Sequence, residues 1–354
     1  MVKTSRVKLN DVEIFNAASI LEAKSSALVS ENKKVTKYLT DLEKRGCKRI
    51  LKTYEDGSID KLEALKDKFP NFTAVLDFVI RNVRLAAVSD PNYIKIPPIA
   101  LGGAPGIGKT QFCYAVSGCL NLELQVIDCS TNNTEFDISG LDSGYNTGKA
   151  GLISEFFRTR NTANPLIILD EFEKPSPIPR SSGSNDNFHG PFLTLIEKKS
   201  SSEFTDNFSK VKLNASYINW IASVNEFHLL PPPIQSRFTY FEIHEPNQEQ
   251  RINVCRSIYA NLRTEFAEQR KIKFSEKLTD DVVSLLAKQN PREMRKTIEQ
   301  VMINAATRDF KQTIQAKTRR TKIHEIDATH LANQITPVVA EKPKRGIGFL
   351  ASIS

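Results

Sequence analysis

The decapeptide from 101 to 110, Leu-Gly-Gly-Ala-Pro-Gly-Ile-Gly-Lys-Thr, constrains this chain more than any other stretch. Gly103, four residues, then Gly108-Lys109-Thr110 give the spacing G-x-x-x-x-G-K-T, a loop whose backbone N–H groups wrap phosphate oxygens. Its glycines, Gly106 among them, allow the close approach that a Cβ blocks, and the turn delivers an anion to a helix N-terminus. Lys109 is expected to reach the β- and γ-phosphates of ATP and Thr110 to hold Mg²⁺ through its hydroxyl, with Ile107 and Gln111 in the same nucleotide-binding segment. Residues 94–101 read as a buried strand and 111–120 as a helix, the strand, loop, helix order that the motif requires.

A second landmark is Pro165-Leu-Ile-Ile-Leu-Asp170-Glu171. Its four apolar residues read as a strand buried on both faces, and its two carboxylates stand at the C-terminal end, where ligands of open α/β sheets collect. Asp170 can hold Mg²⁺, while Glu171 can take the proton of an attacking water. A further strand, 217–224, ends in Asn225, whose amide can orient that water or contact the γ-phosphate. Arg237 follows a short helix end and offers the planar, permanently charged group that a phosphate site takes from a neighbouring subunit. Asn290-Pro291-Arg292-Glu293 reads as a capped helix start, from which Arg292, or Arg295 one turn on, can reach a nucleotide.

The remaining features bound the answer. At 354 residues the chain can bury a sizeable core. Its net charge of +8 leaves an acidic partner such as nucleic acid open. The five cysteines show no C-x-x-C spacing, and the five histidines are too scattered for a zinc site. No stretch has the length of apolar residues that a membrane span requires and no signal peptide is read, so a reducing cytoplasm is the expected location. Ile14, Leu21, Leu28, Val35 and Leu42 recur every seven residues, one seam of a heptad pattern that favours an amphipathic helix packed on its own domain over an intermolecular coiled coil.

Lysine loop, Asp-Glu strand end, strand-terminal Asn225, late Arg237 and helix-start Arg292, in this order, resemble an AAA+ ATPase, and in particular the ATPase module of the Lon proteases. Asn164-Pro-Leu-Ile-Ile-Leu-Asp-Glu-Phe-Glu-Lys174, Phe204-Thr-Asp-Asn-Phe208, Trp220-Ile-Ala-Ser-Val-Asn225 and Leu230-Pro-Pro-Pro-Ile-Gln-Ser-Arg237-Phe238 carry the similarity, which runs over about 70–336. The resemblance implies a three-layer α/β/α parallel sheet with a C-terminal helical lid and a short helical N-terminal region. It divides the chain into 1–67, a large domain at 68–246, a lid at 247–336 and a basic tail at 337–354. Lid helices are expected over 247–262, 280–288, 291–310 and 327–335. It further implies Asn225 as sensor 1, Arg237 as a trans-acting arginine finger, Arg292 as sensor 2, and Tyr145 as the aromatic residue of a pore loop that grips a polypeptide.

The expected activity is therefore ATP hydrolysis with ATP and Mg²⁺ between subunits of a homo-oligomeric ring, a hexamer by the family's pattern, coupled to remodelling of a protein partner. The alternative is an ATP-controlled assembly factor or loader on nucleic acid, suggested by the net charge and by the basic run 317–322. The chain stops at Ser354, soon after the lid, so the Ser-Lys peptidase domain of Lon is not expected. The Ser/Pro/Asn-rich stretch 175–190 reads as a loop, and Ile347-Gly348-Phe349 resembles the tripeptide with which Clp unfoldases dock on a peptidase.

Overall fold

The computed structural model describes residues 11–26, 32–131, 134–174, 188–307, 323–324 and 326. The chain forms two compact units, Met1–Val254 with Asn290–Arg292, and Cys255–Gln289 with Glu293–Ser354.

The first unit begins with strand β1 (Asp11–Glu13), helices α1 (Ala17–Ser25) and α2 (Lys33–Arg45), and strand β2 (Lys48–Ile50), which pairs antiparallel with β1. The heptad seam is not one helix. Ile14 precedes α1, which the Asn16 side chain caps by accepting from Ser19 N at 2.8 Å, so the period restarts there. Leu21 is consequently 64% exposed, whereas Val35 and Leu42 on α2 are buried; Leu28 lies outside the described residues. Residues ahead of 68 share the core of the sheet. Arg49, 1% exposed, donates from Nε to Phe157 O (2.7 Å), and Asn164 bridges Lys52 and Ile94 through their backbones.

Helices α3 (Ser58–Lys68) and α4 (Thr73–Val88) lead to β3 (Ile99–Gly102). This strand is shorter than the apolar run 94–101 suggests. Pro97 and Pro98 lack the N–H that a ladder needs, so pairing starts at Ile99, although Ile94 and Ile96 are buried ahead of it. There follow α5 (Lys109–Leu120), β4 (Leu124–Asp128), α6 (Glu135–Ser139), α7 (Leu152–Thr159) and β5 (Leu166–Asp170). After α8 (Gly190–Leu195) and α9 (Lys198–Ser201), the hairpin β6 (Phe204–Thr205) and β7 (Lys212–Leu213) precedes β8 (Asn219–Val224). The short α10 (Pro232–Gln235) and the edge strand β9 (Thr239–Glu242) complete a five-stranded sheet of order β4-β5-β8-β3-β9, parallel throughout.

Alternation along the strands sorts the core into two layers. Ile167 and Leu169 of β5 join a cluster with Trp220, Phe192, Leu213, Phe15 and Leu39, whereas Leu166 and Ile168 join one with Phe72, Val79, Phe112 and Val116. A sheet buried on both faces is the three-layer α/β/α arrangement. Because every strand runs the same way, all five C-terminal ends lie along one edge.

The second unit takes up helix α11 (Gln248–Glu265), which begins in the first, then a single π turn (Phe266–Arg270), β10 (Lys273–Phe274), α12 (Asp280–Leu286) and α13 (Pro291–Thr307). Met294, Ile298, Val301, Met302 and Ala305 give α13 a buried face at helical spacing. β10 pairs in parallel with β11 (Ile323–His324). The helix expected at 327–335, the basic run to 322, the tail 337–354 and the loop 175–187 lie outside the described residues.

Candidate active site

The loop between β3 and α5 is built by conformation. Gly103 (φ 139°) has no room for a Cβ, which would stand 2.3 Å from Ile243 O, and Gly108 (φ 102°) is the left-handed residue from which α5 starts. Between them Ile107, 4% exposed, packs into the core with Ile243 and anchors the loop. The helix therefore opens at Lys109 with the N–H groups of its first turn directed out of the helix end, the arrangement that favours an anion. Gln111 is exposed in that turn.

Lys109 is 7% exposed. Its ammonium donates to Gly103 O (2.5 Å), Ala104 O (3.2 Å) and Asn225 Oδ1 (3.3 Å), so three neutral oxygens match its three N–H bonds. Burial draws its pKa below the ordinary lysine value, opposed by the carboxylates of Glu173, Asp170 and Glu171 in that order. Thr110 Oγ1 stands 3.4 Å from Asp170 Oδ2, the last residue of β5. Glu171 adopts φ 55°, uncommon for a residue with a side chain, and its carboxylate pairs with Lys174. The turn is pinned by Phe172, fully buried, whose N–H donates to Ser223 O at 3.1 Å.

Asn225, one residue past β8, completes the cluster and exposes a residue that sequence reasoning missed. Its backbone N–H (3.0 Å) and its Nδ2 (2.9 Å) both donate to Glu173 Oε1. Glu173 is 6% exposed, and its Oε2 has no hydrogen-bond partner. The signal was present as a third acid in Asp170-Glu171-Phe172-Glu173, but nothing in spacing alone turns that side chain inward.

The arginines are placed differently. Arg292 groups with the first unit, and a Cβ on Gly106 would stand 3.3 Å from Arg292 Cβ, which sets this arginine beside the phosphate loop. Arg295 pairs with Glu265 at 3.3 Å. Arg237 donates to Pro233 O (2.6 Å) and to Glu197 Oε2 (3.4 Å), and its Nε is buried without a partner. Its bonds thus go to neighbours on its own surface, not to Lys109 or Asp170. Tyr145, 65% exposed, stands at the tip of a turn closed by the Leu141–Lys149 bridge and tied to α2 through Asn32 Nδ2 to Ser143 O (2.7 Å).

Residues 99–245 match the family described as "ATPase family associated with various cellular activities (AAA)". Among curated relatives, the peroxisomal Lon protease homolog 2 of Caenorhabditis elegans is 27% identical over 48% of this chain and 22% of its own length. The Lon protease of Mesomycoplasma hyopneumoniae is 24% identical over 71% of this chain and 27% of its own. The chain thus spans about a quarter of the length of the curated relatives it matches. In fold it is similar to Saccharomyces cerevisiae Hsp104, solved with casein in an extended conformation, with a TM-score of 0.57 and 14% identity over 86% of this chain and 53% of that one. Residues 99–245 thus carry the match to the AAA family, and over this region the chain is similar to Lon proteases at about 25% identity.

Proposed function

We propose that this chain assembles into a ring, a hexamer, and couples ATP hydrolysis at the interface between subunits to the remodelling of a protein partner. The observation that carries it is the convergence of Lys109, Thr110, Asp170 and Asn225, from three separated stretches of sequence, at one edge of the parallel sheet. Lys109 and the backbone of 103–111 bind the phosphates, and Glu171 activates the attacking water. Asn225 orients that water, Arg292 contacts the nucleotide beside Gly106, and Arg237 reaches the site of the adjacent subunit. Thr110 Oγ1 and Asp170 Oδ2 are hard oxygens at 3.4 Å, and among the described residues no cluster of three or more His, Cys, Asp or Glu competes for a cation. That donor set fits Mg²⁺, which takes few protein ligands and keeps its waters and phosphate oxygens. Bound there, it supplies charge neutralisation.

The exposed Tyr145 and the relation to Lon and Hsp104 support a polypeptide as the partner. The net charge of +8 favours a second reading, an ATP-controlled assembly factor on nucleic acid, and DNA binding that falls steeply with salt would support it. No helix among the described residues is long and apolar enough to cross a membrane, and a cytoplasmic site of action is proposed. Nucleotide titration tests the core of this reading. Lys109→Ala should lose binding of ADP and ATP, and Glu171→Gln should bind both while turnover stops. Wild-type affinity in Lys109→Ala would refute the phosphate loop.

A further inference from the structure

We propose that Glu173 is a positioning residue for ATP hydrolysis, holding the Asn225 amide in the one orientation that serves the site. The inference rests on reading residues 103–111 as the phosphate loop.

Asn225 stands between a group that can only donate and one that can only accept. A lysine ammonium has no acceptor, and an ionised carboxylate has no donor. The amide satisfies both in a single orientation, with Oδ1 toward Lys109 Nζ (3.3 Å) and Nδ2 toward Glu173 Oε1 (2.9 Å). Rotating it by half a turn would set N–H against ammonium and carbonyl against carboxylate, so the assignment is settled by chemistry. Oε1 also accepts from the Asn225 backbone N–H (3.0 Å), so one oxygen fixes both where the residue sits and how its side chain points.

The two contacts on the amide are unequal. The Lys109 contact is long, and Lys109 holds Gly103 O and Ala104 O as well. A terminal phosphate that draws Lys109 to itself therefore removes the weaker support of Asn225. Glu173 remains, and the second Nδ2 hydrogen is left to donate to phosphate or water. The turn after β5 carries Glu173 and the end of β8 carries Asn225; these strands are sheet neighbours, and the Phe172 N to Ser223 O bond ties the turn to β8. Glu173 is poorly suited to stability alone, because its Oε2 is buried without a partner.

The test compares variants of the full chain by steady-state ATPase, fluorescent-ADP binding with Mg²⁺, and thermal melting. Glu173→Leu should lower kcat by about tenfold to a hundredfold, the scale of misplacing a reacting group, with ADP affinity within about threefold of wild type. Glu173→Gln should recover kcat to within about threefold, because its amide oxygen can take both bonds now made to Oε1. Glu173→Leu combined with Asn225→Ala should be no slower than Asn225→Ala alone. Should Glu173→Leu not fold, Asn225→Asp replaces it: two facing carboxylates should slow turnover, and adding Glu173→Gln should recover at least about tenfold of the loss. Wild-type kcat in Glu173→Leu, multiplying losses in the double variant, or no rescue by Glu173→Gln each overturn the proposal. If the wild-type chain binds ADP no better than Lys109→Ala, the phosphate-loop reading falls with it; normal binding with multiplying losses overturns this inference alone.

Discussion

Arg237→Ala separates a shared active site from a self-sufficient one, because the structure bounds what the substitution costs the fold. The side chain makes one bond to Pro233 O and one pair with Glu197 at 3.4 Å, in which Arg237 is 28% and Glu197 55% exposed. An exposed pair contributes about 0.2–1 kcal/mol and a neutral hydrogen bond about 1 kcal/mol, while the buried, unpartnered Nε opposes them. Removing the side chain should therefore lower the melting temperature by only a few degrees. An arginine finger is worth about 10³ or more in rate, roughly 4 kcal/mol of barrier, well beyond that structural loss. The assay is ATPase on mixtures with Glu171→Gln. Each Arg237→Ala subunit keeps its own Glu171, and each Glu171→Gln subunit still offers Arg237, so random equal mixing makes about a quarter of the interfaces complete. Two nearly inactive preparations should then recover roughly a quarter of wild-type turnover per subunit. No recovery at any ratio, with both variants folded and associating, would refute the shared site. A loss in Arg237→Ala below about tenfold would refute the finger itself.

Other consequences can be checked separately. Asp170→Asn should raise the Mg²⁺ concentration for half-maximal turnover by about tenfold or more, while melting stays close to wild type; an unchanged Mg²⁺ dependence would remove Asp170 from the metal site. Tyr145→Ala should abolish stimulation of turnover by an unstructured polypeptide such as casein, whereas a nucleic-acid switch would keep its response to DNA. Burial pulls Lys95 down to about 8 from 10.5, so the unfolded chain binds more protons between those values and the folded state gains stability as pH rises from 8 to 10.5. Lys95→Met should remove that rise and stabilise the protein at neutral pH by up to about 3 kcal/mol; a stability difference between the two proteins that does not change with pH would refute it.

Much of the sheet was legible because two-sided burial writes itself into short apolar runs. Residues 166–169 and 219–224 are strands within the expected stretches. What failed were places where a local rule outranks the pattern. Pro97 and Pro98 cut the run 94–101 to a four-residue strand by withholding donors. The seven-residue seam dissolved at Asn16, because a side-chain cap restarts the helix regardless of the apolar period. The N-terminal residues looked separable in sequence, yet Ile14, Phe15, Leu39 and Leu42 are buried in the same cluster as Trp220. Composition does not encode that docking, which depends on Phe15 meeting the β7 edge and Arg49 finding the Phe157 carbonyl.

The site divides along the same line. Lys109, Thr110, Asp170 and Asn225 could be chosen from sequence because each lies at or just beyond the C-terminal end of a strand, and parallel strands bring those ends together whatever lies between them. Glu173 could not be chosen that way. Its side chain reaches Asn225 only because Glu171 takes a left-handed conformation and Phe172 fills the core, which turns the third acid under β8 instead of out to solvent. The same reasoning separates the arginines. Arg292 stands beside Gly106 of the loop although the two are far apart in sequence, whereas Arg237 is held on its own surface by Pro233 and Glu197. An arginine held by two weak contacts is cheap to redirect, and a phosphate supplied across an interface between copies offers it a stronger acceptor than either.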